Sequence, residues 1–154
     1  MPLMQAARSS TTPRLIDSLY TEAMLLADEA RAYFDRNGRE ERLALDPLLR
    51  VGCSVESLKV TTRLMHVIAW LLTQRAIEAG ELSRSGATGE ERRLGRAPVS
   101  DSALIDRLPE GAAQLVRASQ DLFARVARLD GGDAADRALS SPVRSLIGRL
   151  ERAF

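Results

Sequence analysis

From Glu56 to Ala76 the chain contains neither Gly nor Pro, and between Leu64 and Leu72 only His66 interrupts the apolar side chains. An unbroken stretch of this kind predicts one long helix, over about 54–79, with Ser54 as its cap and Gly80 as its stop. A helix lying on one neighbour needs a single apolar stripe, so a centre apolar on every side predicts cover from several directions. The apolar run between Arg63 and Arg75 falls well short of the roughly 20 residues needed to cross a bilayer. It is expected to be the central helix of a soluble bundle.

The remaining pattern adds two long helices and one short one. Ile16, Leu19, Ala23, Leu26, Ala30 and Tyr33 alternate spacings of three and four, which predicts a helix over about 12–37. Thr12-Pro13 suits its start, and Asn37-Gly38 suits a left-handed stop. Residues 39–53 read as a mixed connector, in which Asp46-Pro47 permits a helical restart. Leu115, Ala118, Leu122, Val126 and Leu129 mark a third helix over about 109–129, closed by Asp130-Gly131-Gly132-Asp133. Residues 80–101 have no period and read as a mobile polar loop. Ser141-Pro142 opens a short helix over about 142–153, with Val143, Leu146, Ile147 and Leu150 on one face and Arg144, Arg149 and Arg152 on the other.

The expectation is a single all-α domain spanning 1–154, an up-down-up three-helix bundle with a C-terminal helix. A symmetric dimer is the simplest source of extra cover for the central helix, and a C-terminal helix folded back on the bundle is the alternative. Composition agrees. Ala, Leu and Arg dominate, Glu is plentiful and aromatics make up 4%, which favours helix over strand. A net charge of +1 supplies no basic field for nucleic acid. The polar first dozen residues resemble neither a signal peptide nor a membrane anchor, so a cytoplasmic location is expected.

Candidate chemistry is sparse. His66 is the only histidine. Set between Met65 and Val67, with Trp70 one turn on, it suits a packed or interface position better than a phosphotransfer site. Arg63 stands where a di-iron Glu-x-x-His pair would need Glu, and Cys53 has no cysteine partner for zinc or a disulfide. On one helix Cys53 and His66 would lie about 20 Å apart, too far for a nucleophilic dyad. Gly86-Ala87-Thr88-Gly89 lacks the Gly-Lys-Ser/Thr ending of a phosphate loop. Glu22 and Glu29 are expected to form an ion-pair ladder with Arg63 or Arg75 rather than an acid/base pair. No enzyme, cofactor or metal site is expected.

Two surfaces are candidates for partner binding: Arg92, Arg93 and Arg96 in the loop, and the C-terminal helix with Arg144, Leu146, Ile147, Arg149 and Leu150. A short basic amphipathic helix also fits a membrane surface, which makes a membrane-peripheral protein one alternative; phosphotransfer through His66 is another. Thr62, Arg63, Met65, His66, Trp70 and Gln74 are assigned to packing and dimer geometry.

The segments Leu19-Tyr20-Thr21-Glu22-Ala23-Met24 and Ala32-Tyr33-Phe34 carry a family resemblance. So do Glu56 through Met65 and Trp70-Leu71-Leu72-Thr73-Gln74-Arg75-Ala76. Over about residues 12–81 the chain resembles the alphaproteobacterial RcdA family, the regulators of CtrA degradation. It departs from the family block in carrying His66 where Gln is usual. The resemblance implies a dimeric three-helix bundle without catalytic activity. It also implies an adaptor in regulated proteolysis, acting with the ClpXP protease and a single-domain response regulator to deliver cell-cycle transcription factors.

Overall fold

The computed structural model describes residues 2–82, 93–139, 149, 150 and 153, and the side chains of 12–82, 93–131, 149, 150 and 153. Helix α1 runs Pro2–Ala32 and continues as a π-helical turn over Tyr33–Asn37. Then follow α2 (Arg39–Leu43), α3 (Pro47–Glu78), α4 (Ser102–Arg107) and α5 (Glu110–Leu139). No strand occurs among the described residues. Helix α3 packs against both α1 and α5, so the architecture is the expected all-α bundle.

Several helix ends differ from expectation, each for a local reason. Helix α1 starts well before Thr12 and carries Pro13 in its interior. Proline removes one backbone donor there, but its fixed φ is already helical, so the chain continues at the loss of a bond. At the other end Gly38 is not left-handed. It sits at φ −92° and donates its N–H to Tyr33 O at 2.7 Å, the wide i→i−5 bond of a π turn. Its glycine character is used differently: a Cβ there would lie 2.7 Å from the Tyr33 ring. The same ring faces Gly111 of α5, where a Cβ would meet it at 2.5 Å. Tyr33 therefore fills the space two glycines leave, and its hydroxyl donates to Glu41 Oε2 at 2.7 Å.

The long helix starts at Pro47, not Ser54. Asp46 is extended and its Oδ1 accepts the Leu49 N–H at 3.0 Å, with Pro47 in the first turn where a missing donor costs nothing. Gly52 lies within the helix against Leu104. The far end is the expected stop: Gly80 at φ 75°, with Glu81 N–H to Ala76 O and Gly80 N–H to Ile77 O closing the last turn.

Helix α5 passes through Asp130-Gly131 and on to Leu139 instead of ending there. The reason is tertiary, since Asp130 is buried and accepts the Trp70 Nε1–H at 3.1 Å. Helix α4, capped by Asp101 Oδ1 on the Ala103 N–H, occupies ground just beyond the expected loop. The C-terminal helix expected over 142–153 lies mostly outside the described residues. Of it Arg149, Leu150 and Ala153 are helical and exposed, and Arg144, Leu146 and Ile147 are not described.

The core joins Ile16, Leu19, Ala23 and Leu26 of α1 to Val60, Leu64, Val67 and Leu71 of α3 and to Val116, Leu122 and Val126 of α5. These positions recur at helical spacing on all three elements, so each helix contributes one inward stripe.

Candidate interaction surface

Helix α3 carries a second stripe on the side away from the core. Leu48, Val51, Val55, Leu58, Met65 and Leu72 are all exposed, with exposed Thr62 and Ala69 filling the two gaps in the three-four spacing. At about 100° per residue, Thr62 lies about 200° round the helix from buried Val60, so the two stripes are nearly opposite. Leu58 is 67% exposed and Met65 64% exposed. Beside them, where α1 meets α3, lies a cavity of about 420 Å³ lined by Ala27, Ala30 and Phe34 on one side and Thr61, Leu64 and Ile68 on the other. A contiguous apolar face of this length is of the kind that covers itself against a protein, a membrane or a ligand. The spacing was present in the sequence from Leu48 onward, but it overlaps the inward stripe and reads with it as all-round apolarity.

On the next flank of α3 a polar network replaces apolar packing. Glu56 is fully buried and Arg63, one heptad on, is 1% exposed. Arg63 Nη1 donates to Ser119 Oγ of α5 at 3.2 Å, and Nη2 donates to Pro98 O at 3.0 Å and Ser100 Oγ at 2.7 Å. Ser100 in turn donates to Glu56 Oε2 at 2.5 Å, while Lys59 Nζ donates to Glu56 Oε1 at 3.1 Å and to Val99 O at 2.6 Å. Burial pushes the Arg63 guanidinium below its ordinary range, and Glu56 partly opposes that. These bonds give the buried polar groups the partners they need.

They also hold down residues 93–101. Leu94 N–H donates to Asp130 Oδ2 at 3.2 Å, Gly95 lies against the His66 ring, and Pro98, Val99 and Ser100 follow on Arg63, Lys59 and Glu56. The contacts descend α3 as the segment advances, so it is an extended strap antiparallel to the helix, in the groove between α3 and α5. Fourteen helical residues at 1.5 Å and six extended steps both span about 21 Å, which accounts for the register. This part of the expected mobile loop is thus anchored. The signal in the sequence was faint: Glu56 and Arg63 sit on the core side of an otherwise apolar helix.

The residues singled out from sequence separate accordingly. Thr62 and Met65 lie on the open face of α3, Arg63 and Trp70 are buried within the chain, and Gln74 is half-buried. His66 lies under the strap, its Nδ1 buried without a hydrogen-bond partner and blocked by Gly95. Arg93 and Arg96 are exposed on the strap, and Arg92 lies outside the described residues. Glu22 does not face Arg63 or Arg75. It reaches across to α5, accepting from Arg125 Nη1 at 3.0 Å and also from Nη2, while Arg75 pairs with Asp17 at 3.3 Å. The Glu22 contact holds the Arg125 guanidinium above its usual range. Cys53 is buried, which pushes its thiol up. Among the described residues no three His, Cys, Asp or Glu side chains gather as metal ligands, and no helix is long and apolar enough to cross a membrane.

Comparison with known proteins gives two matches to report. Residues 7–154 match a family described as "Protein of unknown function (DUF1465)". The crystal structure of RcdA from Caulobacter crescentus CB15 superposes with a TM-score of 0.61 at 36% sequence identity, covering 75% of this chain and 88% of that one. No curated protein matches.

Proposed function

The chain belongs to the DUF1465 family and is RcdA-like, and from that premise we propose that it is a non-enzymatic adaptor in regulated proteolysis. The observation that carries this reading is the 36% identity to RcdA sustained over three quarters of the chain. In this reading it acts in the cytoplasm with a ClpXP-type protease and a single-domain response regulator to deliver cell-cycle transcription factors. Tethering supplies the gain: a substrate and protease held on one body meet at an effective concentration in the millimolar range when the linkage is short.

The open stripe of α3 supports a homodimer. From Leu48 to Leu72 its positions carry no charge, so a second copy meets it without repulsion, and a two-fold axis lets the same face serve both protomers. The strap arginines Arg93 and Arg96, with Arg92, Arg144, Arg149 and the Leu146, Ile147 and Leu150 face, are left for protease-side and substrate contacts.

The test is a reconstituted degradation assay with the host ClpXP, its single-domain response regulator and candidate transcription factors. Degradation that accelerates only when both the regulator and this protein are present is the expected result. An unchanged rate across the host's regulated transcription factors, with protease and regulator shown to be active, refutes the adaptor role.

A further inference from the structure

The strap occupies the α3–α5 groove much as a bound peptide would. Its polar anchors are largely main-chain groups: the Leu94 N–H on Asp130, the Pro98 carbonyl on Arg63 and the Val99 carbonyl on Lys59. Main-chain recognition of an extended segment does not depend on whose chain supplies it. Side chains enter at two places: Leu94 packs against the core, and at residue 95 anything larger than glycine collides with the His66 ring at 2.7 Å.

The two cations under the strap are paired unequally. Lys59 meets Glu56 directly at 3.1 Å, Arg63 reaches that carboxylate only through the Ser100 hydroxyl, and the other buried carboxylate, Asp130, is engaged by Trp70 and Leu94. Among the described residues Arg63 has only neutral acceptors, the Pro98 carbonyl and the hydroxyls of Ser100 and Ser119, although it is almost completely buried. A carboxylate adds the direct attraction of opposite charges, which a neutral oxygen does not offer a buried guanidinium. A peptide that ended where Pro98 stands would put its terminal carboxylate at the atom Arg63 Nη2 already holds at 3.0 Å.

We propose that this groove is a receptor for the C-terminal carboxylate of an extended partner peptide with glycine three residues before its end, and that residues 93–98 are its built-in occupant. The partner displaces the strap, gives Arg63 a directly bonded anion and leaves Glu56 with Lys59. The idea goes beyond the adaptor reading: it concerns one groove, and the degradation assay tests the other claim separately.

The test uses synthetic peptides of sequence 93–98, labelled with fluorescein at the N-terminus, as the free acid, as the C-terminal amide, and as the free acid with Gly95→Ala. Binding is read by anisotropy on the full chain carrying Gly95→Val, which forces the strap off the His66 ring, and on the unaltered chain. Hydrogen exchange of the Leu94 amide in the unaltered chain, with unlabelled peptide in excess, reports whether the strap leaves. The free acid is expected to bind about tenfold more tightly than the amide, the attraction between carboxylate and guanidinium exceeding the cost of desolvating the carboxylate by about 1.4 kcal/mol. The Gly95→Ala peptide is expected to lose most of that binding, and the free acid to speed Leu94 exchange. Equal binding of acid and amide overturns the proposal. So does tight binding of the acid that leaves Leu94 exchange unchanged, because the peptide is then bound elsewhere. If the Gly95→Val chain fails to fold, the exchange comparison between acid and amide on the unaltered chain decides alone.

Discussion

Replacing Leu58 and Met65 together by Asp separates the two faces of α3. Both side chains are about two-thirds exposed in the single chain. Full burial of a Leu or Met side chain is worth about 1.5–3 kcal/mol, so two-thirds of it leaves about 1–2 kcal/mol for association. A two-fold interface contains each residue twice. The four side chains together contribute about 4–8 kcal/mol to dimerisation, and facing carboxylates subtract further. At 1.4 kcal/mol per tenfold, the dissociation constant rises by about a thousandfold or more. Within the chain the cost stays small. Exposed positions usually change stability by about 0.5 kcal/mol or less, plus about 0.5 kcal/mol for each Asp in a helix interior. Sedimentation velocity should therefore show a dimer converted to a monomer, with nearly unchanged helicity and a urea midpoint only slightly lowered. A parent chain that is monomeric at tens of micromolar refutes the reasoning. A double variant that remains a dimer refutes it equally, by placing the interface elsewhere.

Asp130→Ala takes from a buried carboxylate its bonds to the Trp70 indole and the Leu94 amide, and strands the indole N–H. It is expected to lower stability by about 2–4 kcal/mol at unchanged urea m-value, and a loss under about 0.5 kcal/mol contradicts the assignment. Tyr33, its ionisation pushed up to about 12 by burial and then by Glu41, favours its neutral form in the fold. That contribution is complete below pH 10 and fades as pH rises from 10 towards 12. Absorbance at 295 nm should show a late-titrating phenol that is absent in Tyr33→Phe. Cys53, 2% exposed and with its thiol pushed up by burial, is expected to resist a thiol reagent in buffer and react fully in denaturing urea. Rapid labelling of the native chain would contradict its placement.

The inward stripes were legible because burial imposes a period. Ile16 through Ala30, and Leu115 through Val126, could be assigned to core faces before any coordinates. The ends were not, because helix boundaries answer to partners distant in sequence. Pro13 weakens a helix without stopping it, and Asp130, a terminator by composition, is consumed by Trp70 sixty residues away. The strap was illegible for a related reason. An extended segment anchored by its own carbonyls has no side-chain period, and its receptors Glu56, Lys59 and Arg63 look like ordinary polar positions of α3. The open stripe shows the opposite failure. Its residues were all visible, but two opposed stripes on one helix merge into a single apolar impression until the core identifies which of them is already used.

One ring ties together two neighbouring positions and a third more than seventy residues away. The Tyr33 side chain occupies the volume that a methyl group at residue 38 or residue 111 would need, so none of the three can drift alone. Among relatives, a substituent at either glycine should appear only with something smaller than tyrosine at residue 33. A lineage that shrinks the ring first should be free to fill both glycines afterwards. The order of those changes is then part of the family's history, since the reverse path crosses a chain in which α1 and α5 no longer close.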